Sequence, residues 1–475
     1  MATKTSKRAS GSAVPSARSS GDAHAAALLA KVGKRTATIC VVGLGYVGLP
    51  TAVAFAKAGF PVIGADLSAK KVALLKKGVS PLEDLDLGDD VAATVKSGHL
   101  KATTDVVAAC AASDVVLLIV PTPVLPSKQP DLSFVESAST FAAKGLRKGQ
   151  LIILESTTYP GTTEDYVVAI GEKLSGLKAG VDFGVGYCPE RYNPGDPQHT
   201  LANVTRVVGA ITPAWADVCA AMYGTLNGNK ITRVRDLRTA EAAKVIENIQ
   251  RDLNIALVNE LALIFERLDI DVHEVLDAAA TKWNFVRYSP GPGVGGHCLP
   301  VDPYYLTSLA EKLGYHPRVI LAGRAVNDHM PLHTVALASS ALNEAGRAVK
   351  GAKIAVLGLS YKANTGDVRE SPAEPVVREL QKLGADLRLC DPHIPSDEVE
   401  HHFGLPNVAA AKALAGAEAI VVLTDHKEFR ALDWTAVRAK AANPCALVDT
   451  RNIVAPEAAR KAGFLYRGIG RRRTA

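Results

Sequence analysis

Between residues 37 and 235 four unbroken apolar runs, ATICVVGLG, PVIGAD, DVVLLIV and LIILEST, are each followed by a stretch with amphipathic helical spacing. A strand with one wet face alternates apolar with polar residues, whereas a run that is apolar throughout belongs to a strand covered on both faces. Repeated units of this kind are βαβ crossovers, which commit the chain to a parallel sheet with helices packed on it. The pattern resumes after about residue 334 with TVALASSALNEAG, KIAVLGLSY, SPAEPVVRELQKLG, DLRLCDP, AIVVLTD and CALVDTRN.

Between these regions, Thr239 to about Leu268 contains neither Gly nor Pro and is dense in Ala, Leu, Ile and Glu, which predicts one long helix, apolar on nearly every side and mostly buried. A short helix, DVHEVLDAAA, follows, and then YSPGPGVGGHCLPVDPYY, whose glycines and prolines predict a loop. The expected fold is α/β: two doubly wound Rossmann-like domains joined by a long central helix in an all-α middle region. The boundaries run 1–35 for a disordered basic tail, 36–237 for the first Rossmann domain, 238–333 for the central helical domain with the Cys loop, and 334–475 for the second Rossmann-like domain. A chain of 475 residues fits this division at about 150 residues per core.

Charge and cysteine usage exclude several classes. The net charge of +6 is concentrated at the ends: Lys4, Lys7, Arg8, Arg18, Lys31, Lys34 and Arg35 face only Asp22, and Arg471, Arg472 and Arg473 close the chain. Short basic ends rich in Ser, Ala and Gly read as solvated tails, and the near-neutral remainder argues against a nucleic-acid partner. Seven cysteines, Cys40, Cys110, Cys188, Cys219, Cys298, Cys390 and Cys445, are odd in number and unpaired in spacing, which points to a reducing compartment. No C-x-x-C pair suggests a zinc site, and no metal is expected. No run approaches a signal peptide or the roughly 20 apolar residues of a membrane span, so the cytoplasm is the default and no membrane partner is expected.

The strand TICVV runs into Gly43-Leu44-Gly45-Tyr46-Val47-Gly48 and then a helix. In this arrangement the glycines permit a tight turn, close approach of a diphosphate and helix packing, and the helix N-terminus favours the anion. Asp66 ends the next strand, about 20 residues on, where a ribose-hydroxyl acceptor belongs. Its charge opposes a 2′-phosphate, so NAD is preferred to NADP, although Lys70 and Lys71 beside it could accommodate one. The second Rossmann-like domain has GLSYKANTGD in place of a full fingerprint and is expected to hold a nucleotide of another kind.

Cys298 sits in Gly295-Gly296-His297-Cys298-Leu299-Pro300-Val301-Asp302, too glycine-rich for core and unsuited to an inert buried thiol. A nucleophilic role requires support for the thiolate. Asp302 can orient a water or a neighbouring cation, while His297, adjacent in sequence, diverges and reads as structural. On the long helix Lys244, Asn248 and Arg251 stand at i, i+4 and i+7 and share one face, a polar line that needs partners. Either a polar ligand or internal salt bridges to Glu241, Glu247 or Asp252 would supply them. Hydride transfer followed by capture of the aldehyde on a cysteine, a second oxidation and hydrolysis would make an acid from an alcohol. Lys244 and Asn248 could stabilise the oxyanion, and Glu190, after a predicted strand in Cys188-Pro189-Glu190-Arg191, could activate the water.

In its motifs GLGYVGLP, VPTP, YCPERYNPGD, AEAAKVIENIQRDLNIALVNE, KWNF, GVGGHCLPVDPYYL, SYKANTGDVRESP and DTRN, all in family order, the chain closely resembles the UDP-glucose/GDP-mannose dehydrogenase family from residue 37 to 465. The resemblance implies a four-electron oxidation with two NAD and a UDP-sugar substrate, with Cys298, Lys244, Asn248, Asp302, Glu190 and Thr122 as catalytic residues. It implies NAD contacts at Gly43, Gly45, Tyr46, Val47, Gly48, Asp66, Lys71, Thr122, Thr157 and Arg369. Contacts to the UDP-sugar are implied at Arg191, Tyr192, Lys244, Asn248, Arg251, Gly295, Tyr361, Lys362 and Arg451. It further implies a UDP-binding third domain, a homodimer or larger homo-oligomer joined through the central helix, and a product that feeds a surface polysaccharide.

One position departs from the family pattern. Members specific for UDP-glucose carry a second glutamate where this chain has Pro194, which favours an N-acetylated substrate. UDP-N-acetylglucosamine is expected first, with UDP-glucose or the galactosamine and mannosamine isomers as alternatives. A two-electron hydroxyacid dehydrogenase would need no nucleophilic cysteine, and a non-catalytic nucleotide-binding protein would not need Cys298, Lys244, Asn248 and Glu190 together.

Overall fold

The computed structural model describes residues 20–82, 86–192 and 198–472. The chain divides into two compact units. The first runs to Glu241 except for Thr122–Leu132 and Thr157–Tyr159, which join Ala242–Ala475 in the second.

The first unit is built on eight strands: β1 (Ile39–Val42), β2 (Val62–Ala65), β3 (Leu100–Thr103), β4 (Val115–Leu118), β5 (Leu151–Leu154), β6 (Gly184–Tyr187), β7 (Arg206–Ala210) and β8 (Ile231–Arg233). They lie in the order β3-β2-β1-β4-β5-β6-β7-β8, so the chain reverses direction across the sheet between β1 and β4. The four predicted apolar runs are β1, β2, β4 and β5, and β1, β4 and β5 are buried at every position. Pairing is parallel apart from β6 with β7, which is antiparallel. The second unit carries five strands, β9 (Lys353–Leu357), β10 (Asp386–Cys390), β11 (Ala419–Val422), β12 (Ala446–Asp449) and β13 (Leu465–Gly468), all parallel in the order β10-β9-β11-β12-β13.

The expected disordered tail over 1–35 is corrected from residue 20 onwards. Ser20–Gly33 is a helix that buries Ala25, Leu28 and Val32 on one face and packs against the helix Pro213–Asn227. Its small, Ala-rich residues concealed a 3.6-residue period. Lys31 pairs with Asp114 at 2.8 Å, and at the other end Arg471 pairs with Asp271 at 2.8 Å, so neither basic end is simply solvated. Residues 1–19 and Arg473 lie outside the described residues.

The long helix spans Leu237–Arg267, and Val272–Ala279 follows with Asp271 capping its first turn. The predicted loop ends earlier than expected, because Asp302–Lys312 is helical with Pro303 in its first turn, where a missing N–H costs nothing. The boundary expected at 333 falls inside one helix, Arg318–Glu344, which continues through Pro331. The central helix is also wetter than its composition suggested: Ile246, Leu257 and Ile264 are 56%, 55% and 45% exposed. At about 100° per residue these three fall within roughly 20° of one another, so they form one apolar stripe on an otherwise amphipathic rod. Among the described residues no helix is long and apolar enough to cross a membrane, and all seven cysteines are unpaired.

Candidate active site

In the first unit the glycine turn is built as a cradle. Gly43 has φ +94°, and a Cβ there would stand 2.2 Å from the Ile119 carbonyl oxygen; at Gly48 it would stand 1.8 Å from the Gly43 oxygen. Neither position admits a side chain. At Gly45 nothing lies within 4 Å of an added Cβ, which leaves that backbone open to a diphosphate at the start of the helix Gly48–Lys57. Asp66 does more than await a ribose: its Oδ2 accepts from the Leu44 amide at 2.9 Å and its Oδ1 from the Ser68 amide at 2.8 Å. Lys71 stands 3.6 Å from the same carboxylate, so the lysine neutralises the acid. The Tyr46 carbonyl accepts from the Tyr192 hydroxyl at 2.6 Å, tying the turn to the Glu190 segment.

Glu190 lies in a buried polar network that the sequence reading missed. Its Oε1 accepts from the Arg191 and Tyr192 amides, both at 2.7 Å, and its Oε2 pairs with the fully buried Arg206. Arg206 also bonds Glu155 at 3.3 Å, and the Tyr223 hydroxyl donates to Glu155 at 2.6 Å. Burial lifts Glu155 to about 7 against the pull of Arg206. The available signal was a lone arginine in the otherwise apolar strand RVVGA and an acid at the end of LIILES. Arg191 donates to the Thr205 carbonyl at 2.8 Å. Pro194 lies outside the described residues.

In the second unit the sequence places Cys298 where a glycine loop turns into a helix. The Asp302 amide donates to the Cys298 carbonyl at 2.8 Å, so the cysteine precedes the helix Asp302–Lys312 by one turn. Gly295 and Gly296 lie against Tyr361: an added Cβ would stand 2.7 Å from its Cβ and 2.8 Å from its ring respectively. Asn248 donates to the buried Asp302 carboxylate, joining the central helix to the cysteine loop. Burial raises Asp302 to about 6, while the Lys244 charge and the Asn248 hydrogen bond oppose the rise. Burial, reinforced by Asp302, pushes the Cys298 thiol up to about 12 against the charges of Lys244, Arg251 and Arg369. Burial thus favours the thiol form of Cys298, with three cations placed to favour the thiolate.

Lys244 and Arg251 on the central helix bear on Cys298, and two of the three acids weighed as internal partners, Glu241 and Asp252, are engaged elsewhere. Glu241 accepts from the Gly161 and Thr163 amides, and Asp252 pairs with Arg324 at 2.6 Å. Thr122 belongs to this unit as well: its side chain bonds the Tyr305 hydroxyl, which also donates to the Pro123 carbonyl at 3.3 Å. Thr157 lies beside Tyr159, whose ring is 6.3 Å from that of Tyr305. Arg369 forms a bidentate pair with Asp367 at 2.9 and 2.6 Å. Arg451 donates to the Leu423 carbonyl at 2.7 Å and stands over Gly291, where a Cβ would be 3.1 Å from its Nη1. Lys362 lies in the loop after β9, its carbonyl accepting from Ser360 and Thr365. Cys298, Lys244, Asn248, Asp302, Arg369 and Tyr361 form one group; Glu190, Arg191 and Tyr192 belong to the first unit.

Three sequence models of the UDP-glucose/GDP-mannose dehydrogenase family match in succession: its NAD binding domain over residues 37–227, its central domain over 238–329 and its UDP binding domain over 355–456. The chain is 41% identical over 392 residues to a UDP-N-acetyl-D-glucosamine 6-dehydrogenase of Pseudomonas aeruginosa, covering 82% of this chain and 91% of that one. It is 37% identical to an NDP-N-acetyl-D-galactosaminuronic acid dehydrogenase of Ralstonia nicotianae, over 88% of this chain and 96% of that one. The fold matches the solved structure of a UDP-D-ManNAc dehydrogenase from Pyrococcus horikoshii with a TM-score of 0.85 at 35% identity, across 92% of this chain and all of that one. With its dinucleotide cradle and three consecutive domain matches, this chain belongs to the UDP-glucose/GDP-mannose dehydrogenase family and is an NAD-dependent nucleotide-sugar dehydrogenase.

Proposed function

We propose that the protein oxidises carbon 6 of UDP-N-acetylglucosamine from alcohol to carboxylate through a covalent intermediate on Cys298. The observation that carries the mechanism is the Cys298 site itself: a thiol flanked by Lys244, Asn248 and Asp302 and facing three cations. NAD bound at the glycine cradle supplies the hydride acceptor, once for each oxidation. The chain's residues do the rest. Lys244 and Asn248 hold the oxyanion that forms as the Cys298 sulfur adds to the aldehyde, and the sulfur's proton passes to that oxygen to complete the thiohemiacetal. Loss of a second hydride from carbon, with the hydroxyl proton passing to the Asp302 carboxylate, gives the thioester. Water then adds to its carbonyl, the C–S bond breaks, and the carboxylate leaves with the thiol restored. Asp302, poised near 6, is the base that the Cys298 site offers for this water, and Glu190 is the second carboxylate in the scheme. Thr122 and Thr157 serve the cofactor, while Tyr361, Lys362, Arg451 and Gly295 receive the UDP-sugar with Arg191, Tyr192 and Arg251.

The N-acetylglucosamine assignment is supported by the Pseudomonas aeruginosa relative and by Pro194 in place of a second acid. Its test is the NADH formed per sugar consumed across UDP-glucose and the UDP-N-acetylhexosamines. Two NADH from UDP-N-acetylglucosamine with the highest kcat/KM is the expected result; a better galactosamine or mannosamine substrate would replace the epimer, and one NADH per sugar would remove the covalent step.

Asp66→Ala should raise the KM for NAD roughly tenfold to a hundredfold, because it removes both a ribose acceptor and the anchor of the Leu44 amide. Discrimination against NADP should fall in the same variant. Unchanged preference between the cofactors would show that the carboxylate serves only the turn.

The stripe of Ile246, Leu257 and Ile264 on the central helix supports a homo-oligomer in which a second copy covers it. Leu257→Glu should shift the sedimentation coefficient of the protein to that of a single chain; a variant that sediments like the parent would leave the stripe without that role.

A further inference from the structure

The loop that carries Cys298 has little to fix its own backbone. Among the described residues no amide from Val286 to Pro300 donates to a backbone carbonyl, and Gly293 at φ +131° and Gly296 at φ +89° take conformations that glycine alone adopts readily. A nucleophile misplaced by about 1 Å can lose about 10²-fold in rate, so the pose of such a loop has to be set from outside.

The groups that set it lie on the two long helices of the second unit. The Gly291 amide donates to Asn259 Oδ1 at 2.9 Å, and the Asn259 side-chain amide donates to Asn327 Oδ1 at 2.9 Å. Asn327 in turn donates to the Asp252 carbonyl at 3.0 Å and to the Asp252 carboxylate at 2.8 Å, and Arg324 donates to that carboxylate at 2.6 Å. Arg324 also bonds Asp328, which accepts from the Tyr304 hydroxyl at 3.2 Å. This line of bonds leaves the loop at Gly291 and returns at Tyr304, in the first turn of the helix that Cys298 precedes. Asp252, Asn259, Arg324 and Asn327 are all buried, so a donor or acceptor that loses its partner there is left without water to replace it. Pro331 adds a second hold. Having no N–H, it gives none to the Asn327 carbonyl four residues back, and Gly293 packs against both: a Cβ there would stand 3.4 Å from the Asn327 carbonyl oxygen and from Pro331 Cδ. Among the described hydrogen bonds, none in this network involves Cys298, Lys244, Asn248 or Asp302, so it can be altered without touching the reacting groups.

We propose that Asn259 and Asn327 are positioning residues, a buried clamp that sets the Cys298 loop for capture of the aldehyde. The proposal rests on Cys298 as the nucleophile, and its test separates the two. Asn259→Leu keeps the volume and removes both bonds that the side-chain amide makes. Hydride leaves the alcohol without help from sulfur, so the first oxidation should stay within about threefold of the parent while acid formation slows about 10²-fold. The deciding readout is the partition between the two steps: NADH formed per UDP-sugar consumed should fall from two toward one, with hydroxylamine trapping the difference as aldehyde. Tyr304→Phe removes only the hydroxyl at the far end of the network, where Asp328 is exposed to water, so it folds like the parent and should raise the aldehyde fraction about threefold. A role in folding alone would slow both oxidations by the same factor and leave the yield at two. Two NADH per sugar with no trapped aldehyde, from either variant, would overturn the proposal. Failure of the nucleophile reading would look different, because Cys298→Ser would then still make the acid.

Discussion

Cys298→Ser should lower the rate of acid formation by about 10³-fold or more and reduce the yield from two NADH per sugar to no more than one. A serine hydroxyl is a far weaker nucleophile toward an aldehyde, and the adduct it forms cannot become a thioester. The first oxidation needs no sulfur, so the aldehyde should accumulate and be trapped by hydroxylamine. The same geometry predicts that the wild-type thiol is slow toward iodoacetamide between pH 7 and 8, because burial and the Asp302 charge hold it near 12. Removing the Asp302 charge as Asp302→Asn should lower that value and speed alkylation while acid formation falls. Full acid production by Cys298→Ser would end the covalent scheme, whichever UDP-sugar is used.

The parallel cores were legible because a strand buried on both faces writes itself as a largely unbroken apolar run; β1, β2, β4, β5, β9, β11 and β12 stood out in this way, while the edge strand β10 alternates as DLRLC. What escaped was less periodic. β3, with pattern LKAT, is partly wet, and β8 is a three-residue edge. The helix Ser20–Gly33 was hidden by its alanines, and the boundary expected at 333 fell inside the helix Arg318–Glu344, which continues through Pro331. At the site, spacing along one helix was enough to align Lys244 with Asn248, and the bond from Asn248 to Asp302 followed from no local pattern because 54 residues separate the two. Asp66 was found by its distance from the glycines, whereas its second duty, holding the Leu44 amide, is a matter of tertiary geometry. The network around Glu190 was illegible for the same reason: Glu155, Glu190, Arg206 and Tyr223 come from separate elements, and only the oddity of an arginine inside an apolar strand pointed to it.

Arg206→Met should be the most destabilising single change in the first unit, costing about 3–5 kcal/mol at pH 8 and lowering the melting temperature on the order of 10 °C. The arginine is fully buried between Glu155 and Glu190, with the Tyr223 ring 4.8 Å from its guanidinium carbon. Methionine fills much of the volume but leaves two carboxylates buried without a cation. In the native protein burial already lifts Glu155 to about 7, above the ordinary value of 4.5, so the folded state holds more protons than the unfolded one between those values. That contribution is fully present below about 4.5 and is lost as pH rises through 7. Without Arg206 the folded value of Glu155 rises further, so the proton-linked loss extends to higher pH, and the deficit of the variant should be small near pH 5.5 and largest at pH 8. Adding Glu155→Gln should recover part of it by removing one of the two charges. Thermal melts of the parent, Arg206→Met and the double variant at the two pH values decide the matter: a deficit that does not change with pH would mean that the arginine acts by packing against Tyr223, and that Glu190 owes its position to the Arg191 and Tyr192 amides alone.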